Sequence, residues 1–334
     1  MLQLADKRYD KVKLIFHNDG HRYVDSLGND YISTTTILHR YKTPFDKAKW
    51  LRIKSRELGI SENELAKQWT KITKEACERG SNTHDGLEQG IKGASKFANA
   101  IQYLDAKPDG EMFTIADLVN IDLNLKELSV KDFIELTENR YPEIYNVLGW
   151  YTARGYHIYA EIGAFLIDYL VSGTIDVLLL RDDCHVIGDW KTNRGGLQFE
   201  SGYYKKDKSV KPAQLTAEWV RKDERLLPPV SHLPACNGSL YNLQISMYAY
   251  MVETILGLPN RGCWLCHIDS DFELNQYGQP RRFPDGLYHI KENPKERTTF
   301  HKMKYLKKEI EAILANRALE IKNIGFKQQY GLGL

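Results

Sequence analysis

The sequence predicts an α/β or α+β protein with central strands flanked by helices, and three observations carry that expectation. Short period-2 apolar runs open the chain, a compact β-rich stretch occupies about 156–191, and segments of helical spacing stand on both sides of it. At 334 residues, 42% hydrophobic and 27% charged, the chain is long enough to bury a core as one large domain or two small ones.

The elements follow in order. Over 11–36, the runs Val12-Leu14-Phe16, His21–Val24 and Tyr31–Ser33 alternate around the turn sequences Asn18-Asp19-Gly20 and Leu27-Gly28-Asn29, which predicts a β-meander. Ser61 with Glu64 three residues on reads as a capping box opening a helix through Trp69, Ile72 and Ala76 toward Gly90. Residues 91–150 read as mostly helical, broken at Lys107-Pro108-Asp109-Gly110. Residues 200–238 are polar and proline-bearing, and read as a loop insertion. Two helices close the chain, over about 239–256 (stopped by Gly257 and Pro259) and about 300–322. The expected division is a meander with a first helix over 1–60, then a main domain over 61–334 carrying the insertions at about 91–150 and 200–238.

The segment Ser172 to Asn193 carries the most chemistry. Two apolar runs, Val177–Leu180 and Val186-Ile187, flank Arg181-Asp182-Asp183-Cys184, which predicts a hairpin. With Asp182-Asp183 as a two-residue turn, counting outward sets Asp176 opposite Asp189. Facing Cβ atoms lie about 4.5–5.5 Å apart, close enough for both carboxylates to hold one cation. Alternation puts Asp189 and Lys191 on one face and Trp190 on the other. Carboxylates suit a hard ion such as Mg²⁺ or Mn²⁺, and an adjacent lysine suits phosphodiester hydrolysis. Taken singly, each residue fits an ordinary hairpin with solvated acids. The set favours a metal site, because acids ending a continuously apolar run such as Val177–Leu180 are costly unless they coordinate something.

Gly173-Thr174-Ile175-Asp176 followed by Asp189-Trp190-Lys191-Thr192 resembles the metal-binding core of the PD-(D/E)XK nuclease superfamily, and more narrowly its RecB-like branch, which includes phage exonucleases and the mitochondrial genome-maintenance exonuclease. Three further stretches match that branch in order. Arg79-Gly80-Ser81-Asn82-Thr83-His84 resembles its helix-borne histidine motif, Glu161 stands on the strand before the hairpin, and Gln244-Ile245-Ser246-Met247-Tyr248 resembles its Gln-x-x-x-Tyr helix. The resemblance covers roughly 75–255 and implies a restriction-endonuclease-like core with a mixed sheet. It implies Asp176, Asp189 and Lys191 as catalytic residues. As metal ligands it implies His84, Asp176, Asp189 and the Trp190 carbonyl, with Glu161 near the ion or orienting its ligands. Gln244, Tyr248 and Thr192 are implied to touch DNA, the first two or else to brace the lysine. The long gap from Lys191 to Gln244 departs from the family pattern. Iron–sulfur relatives carry a cysteine trio after the Gln-x-x-x-Tyr helix; here only Cys263 and Cys266 follow it, so no cluster is expected.

The remaining features narrow the field. A net charge of +2 requires any nucleic-acid site to be a local patch. Lys205, Lys206, Lys208 and Lys211, after Tyr203 and Tyr204, form a basic-aromatic stretch that reads as a solvated loop or a DNA clamp. Five scattered cysteines, with one lone Cys-x-x-Cys, predict buried free thiols rather than zinc ligands. Met1–Leu4 leads into Asp6, Lys7 and Arg8 without an apolar run, and no stretch approaches a membrane span, so a cytoplasmic protein is expected, a phage-encoded one in its host included. The leading expectation is a Mg²⁺- or Mn²⁺-dependent deoxyribonuclease, an exonuclease acting on DNA ends or single strands. An endonuclease on the same core and a non-catalytic DNA-binding recombination scaffold stand as alternatives.

Overall fold

A computed structural model describes residues 2–17, 19–94, 110–120 and 128–329. The meander forms where the alternation predicts it: β1 (Leu14–His17), β2 (Arg22–Asp25) and β3 (Asp30–Ser33) run antiparallel. Gly28 takes the left-handed conformation the β2–β3 turn needs, at φ 88°. Asp25 accepts the Leu27 and Asn29 N–H groups at 2.9 Å each, which closes that turn. Ser33 caps α1 (Thr34–His39), its Oγ accepting from the Thr36 N–H. After α2 (Lys47–Leu58), Ser61 Oγ accepts from the Glu64 N–H at 3.1 Å and starts the long α3 (Glu62–Ala94) at the residue the capping signal marks.

Helices α4 (Val130–Leu136) and α5 (Pro142–Thr152) follow a 3-10 turn at Ile115–Asn120. Of the expected break in this region, Lys107, Pro108 and Asp109 lie outside the described residues, as do 95–106 and 121–127 of the expected helical insertion. The β-rich centre is β4 (His157–Leu166), β5 (Val171–Arg181) and β6 (Cys184–Lys191). Helix α6 (Asn237–Leu256) ends on Gly257 in the left-handed conformation, and α7 (Lys307–Gln329) closes the described chain.

Two expectations need correction, and one strand carried no signal. Residues 200–238 are not all loop: β7 (Gly202–Asp207) and β8 (Gln214–Arg221) form a separate two-stranded sheet. Tyr204 packs on Trp219 across it, their ring centroids 4.9 Å apart, and Pro212 lies in the connection between the two strands. Residues 260–269, for which the sequence carries no element signal, are β9 (Asn260–Asp269), and 297–303, which overlaps the start of the helix expected over about 300–322, is β10 (Arg297–Met303), the helix starting only at Lys307. The Cys263-Trp264-Leu265-Cys266 run is a strand covered on both faces, which carries no alternation to betray it.

The main sheet has eight strands in the order β1-β2-β3-β5-β6-β9-β10, with β4 on β5. Pairings β3–β5 and β6–β9 are parallel and the others antiparallel, so the sheet is mixed. One face packs on α1, α6, α7 and the N-terminal elements, the other on α3, α4 and α5. Strands β6 and β9 alternate cleanly between the two: Ile187, Cys263 and Leu265 face the first, Val186, Trp190, Trp264 and Cys266 the second. The two cysteines of the Cys-x-x-Cys therefore lie on opposite faces; Cys184, Cys236, Cys263 and Cys266 are buried free thiols, whereas Cys77, expected to be buried with them, is exposed on α3. No helix among the described residues is long and apolar enough to cross a membrane.

Candidate metal centre at the split in the sheet

Strand β4 occupies one edge of β5 along its length, from Leu166↔Val171 to His157↔Leu180. The other edge is shared. Its beginning carries β3, through Ile32↔Val171 and Ser33↔Ser172, and its end carries β6, from Val177↔Gly188 to Arg181↔Cys184. The hairpin register is the one counted from the Asp182-Asp183 turn. Beyond Gly188 the strands part, and the Asp176 carboxylate spans the gap by accepting the Trp190 N–H at 2.9 Å. Gly188 stands where they part because the Trp264 ring crosses it; an added Cβ would lie 2.2 Å from that ring.

Glu161 lies on β4 between Ala160, paired with Val177, and Ile162, paired with Ile175, and thus beside Asp176. Its φ is +51°, a left-handed conformation that costs a non-glycine residue on the order of 1–3 kcal/mol. Core alternation slips at this point. Ile158 and Ala160 belong to the α3–α5 face, whereas Ile162 and Ala164 belong to the opposite core. The twist turns Glu161 toward Asp176 and α3.

From α3 comes His84. Gly80, one turn earlier, lets the helix approach β6: a Cβ there would sit 3.2 Å from Thr192 Oγ1. His84 Nδ1 lies 3.5 Å from Asp176 Oδ2 and 3.8 Å from Glu161 Oε1, and one ligand atom from each residue falls within 4.8 Å of the others. Donors about 2.1 Å from one octahedral ion stand about 3–4.2 Å apart, so this set fits a small divalent cation with slight contraction.

Asp189 is 1% exposed and is not one of that trio. Its carboxylate pairs with the Lys191 ammonium, and its Oδ1 is buried without a hydrogen-bond partner. Lys191 Nζ also lies 4.9 Å from the centre of the Tyr241 ring on α6. Burial pushes the Asp189 carboxyl up to about 6, the Asp176 charge adding to it and Lys191 opposing. Burial likewise raises Asp176, against the pull of His84 and Lys191. For His84, burial disfavours the imidazolium, but Glu161 and the charges of Asp176 and Asp189 outweigh it and raise it to about 9. For Lys191 too, burial is outweighed, by Asp189 and Asp176, and its pKa is raised. Three acids thus draw on a lysine and a histidine for compensation, and a cation held there would relieve the repulsion among them.

The structure therefore brings together His84, Glu161, Asp176, Asp189 and Lys191. Trp190 gives its side chain to the core against Trp264, at 5.3 Å. Tyr248 is buried behind β5, and the close approach needs Gly173, whose added Cβ would meet its ring at 2.8 Å. Gln244 Nε2 donates to the Tyr248 hydroxyl at 3.4 Å. Buried in this way, Tyr248 braces the strand that carries Asp176 and has no surface for a DNA strand. Thr192 flanks α3 at the rim. Lys205 and Lys206 lie apart on β7; Lys205 pairs with Glu218, and Lys206 feels the charges of Lys54, Arg282 and Lys208, opposed by Glu57. Tyr241 and Arg194 were not signalled by any motif. The one available hint is spacing, Tyr241 lying a helical turn before Gln244 and Arg194 three residues past Lys191. No family model matches the chain, and no curated protein or solved structure matches it either.

Proposed function

We propose that the chain is a divalent-metal-dependent deoxyribonuclease on a restriction-endonuclease-like core of the RecB-like PD-(D/E)XK type, acting on DNA ends or single strands. The observation that carries this reading is the convergence of His84, Glu161 and Asp176 on one cation-sized space beside the buried Asp189–Lys191 pair. An imidazole and carboxylates, with an orphaned Asp189 oxygen, suit Mg²⁺ or Mn²⁺ better than a thiolate-loving ion. When bound, such an ion supplies Lewis acidity toward a phosphoryl oxygen and lowers the pKa of water. The chain supplies the rest. Asp189 and Tyr241 fix the Lys191 ammonium, which orients the attacking water and stabilises charge developing on the phosphate. Gln244 and Tyr248 hold β5, and Asp176 with it, against α6. The reading carries with it a cytoplasmic setting, a phage-infected host included.

The test is digestion of end-labelled single-stranded and duplex DNA, linear and covalently closed, with Mg²⁺, Mn²⁺, Ca²⁺ or excess chelator. Cleavage with Mg²⁺ and Mn²⁺, and none with Ca²⁺ or chelator, is expected. Resistance of closed circles identifies an exonuclease, and their cleavage an endonuclease. Undiminished cleavage in chelator rejects the metal centre, and no cleavage of any substrate rejects the nuclease.

A further inference from the structure

Beside the acid cluster a cavity of about 470 Å³ opens between α3, the end of β6, α6 and the segment carrying Phe272 and Tyr288. His84 and Lys191 stand on one side of it. The other walls bring in two arginines that the proposed chemistry does not use. The Arg79 guanidinium lies over Phe272, 5.1 Å from the ring centre, and that of Arg194 lies over Tyr288 at 3.5 Å. With Lys191 over Tyr241, three cations each backed by an aromatic ring line one space.

Rings satisfy the faces of these guanidinium groups but not their N–H donors. Among the described residues neither Arg79 nor Arg194 pairs with a carboxylate, and Arg79 Nε is buried with no acceptor. Burial lowers the Arg79 pKa and the Arg194 charge lowers it further, with Glu75, also on the cavity wall, opposing them at a distance too long for an ion pair. Two like charges with unused donors, turned toward one cavity, call for an anion with several acceptor oxygens. The planar fork of arginine matches a phosphate best. Cavities of about 300–1,000 Å³ admit a ligand the size of one nucleotide. A duplex, with a major groove alone about 12 Å wide, does not enter such a space. Rings beside cations are the walls on which the bases of a single strand stack.

We infer that this cavity is a phosphate subsite, in which Arg79 and Arg194 grip a phosphate of a single nucleic-acid strand next to the one presented to the acid cluster. The inference rests on reading that cluster as a phosphodiester-cleaving centre. A terminal monoester and an internal diester share the chemistry, and the experiment separates them.

The experiment measures binding by fluorescence anisotropy, in Ca²⁺, for wild type, Arg79→Met and Arg194→Met. The substrates are a 5′-phosphorylated, a 3′-phosphorylated and an unphosphorylated single strand, and a single-stranded circle. Each variant should bind at least about tenfold more weakly, as expected for a lost charge-assisted contact. The slope of log affinity against log salt should fall by about 0.7 per contact removed. Loss confined to one phosphorylated end assigns a monoester, and equal loss on the circle assigns an internal diester. The melting temperature of Arg79→Met should equal or exceed wild type, because the methionine stem still covers Phe272 while an unpaired charge is removed. A purely structural arginine would lower it. Arg194 lies at the exposed mouth, so Arg194→Met keeps the test open should Arg79→Met fold poorly. Unchanged affinity and slope in Arg194→Met and in a folded Arg79→Met, with Mn²⁺-dependent cleavage intact, overturn the subsite and leave the nuclease reading standing. Should wild type neither bind nor cut nucleic acid, the nuclease reading falls. The nucleic-acid part of the inference falls with it, and calorimetry with inorganic pyrophosphate then decides whether the arginines hold phosphate at all: binding lost in the variants keeps the phosphate site, and binding absent or unchanged rejects it.

Discussion

Replacing Lys191 with methionine removes the ammonium while keeping most of the stem that packs by Tyr241. Lys191 is 14% exposed and its partner Asp189 1%, so solvent screens the pair little. Removing one member of a buried pair costs about 3–5 kcal/mol, because the other charge is left uncompensated. Asp189 has an escape that places the cost near the lower end. Its pKa already stands at about 6 against an ordinary 3.8, and without Lys191 it rises further, so it takes up a proton. A carboxyl whose folded pKa is raised binds more protons folded than unfolded, and stability falls as pH rises through the window between the two values. In wild type that window is about 3.8–6; in the variant it extends upward. The destabilisation should therefore be about 3 kcal/mol at pH 8 and shrink to about 1 kcal/mol at pH 5, where wild-type Asp189 is already largely protonated. Urea denaturation in chelator at the two pH values reads this directly. Adding Asp189→Asn to Lys191→Met should recover part of the loss. Single-turnover cleavage should fall at least roughly a hundredfold, as for loss of a positioned catalytic group. A variant as stable as wild type at pH 8, or one cutting at near wild-type rate, refutes the reasoning.

Three further outcomes follow from the same geometry. Asp176→Asn should abolish Mn²⁺ binding in titration calorimetry, whereas His84→Gln should only weaken it, since a water can take the imidazole's place; equal affinities would contradict the ligand set. In the metal-free protein the raised His84 pKa contributes stability that is full below about 6.5 and is lost as pH rises through about 9, up to about 3 kcal/mol, so the fall in stability over that range should flatten in His84→Gln. Glu161→Gly should be about 1 kcal/mol more stable than Glu161→Ala, because only glycine holds φ +51° without strain, while both lose Mn²⁺ affinity; equal stabilities would mean that the backbone relaxes there.

The hairpin was legible because its information is local. A two-residue turn and the run Val177–Leu180 determine its register, and the register determines that Asp176, Asp189 and Lys191 converge. Register gives adjacency but not side-chain torsions, so it does not tell that one Asp189 oxygen pairs with Lys191 while His84, Glu161 and Asp176 form the tight trio. Glu161 is weakly marked because its left-handed turn is imposed by packing rather than by residue type. Strand β9 is hidden by its own burial on both faces, and β10 by a polar sequence whose pairing with β9 is made across a long connection. Tyr241, Arg79 and Arg194 reach the site through a helix, a helix and a strand end that only tertiary packing brings together.

The edge of β5 shared between β3 and β6 sets an order of events for the chain as it is made. Strand β6 lies one tight turn from β5 and pairs at once, whereas β3 is finished early and must wait for β5 to emerge far downstream. Nearby pairing precedes distant pairing, because closing a long loop costs entropy before any contact repays it. Helix α1 begins directly after β3 and is tied in by Thr34 Oγ1 donating to the Ser172 carbonyl, so it docks no earlier. The acids of the hairpin are thus brought together before the floor beneath Gly173 is closed by Thr34 and Tyr248. On that order, a half-made chain would hold the hairpin acids side by side before the frame that aligns them is complete.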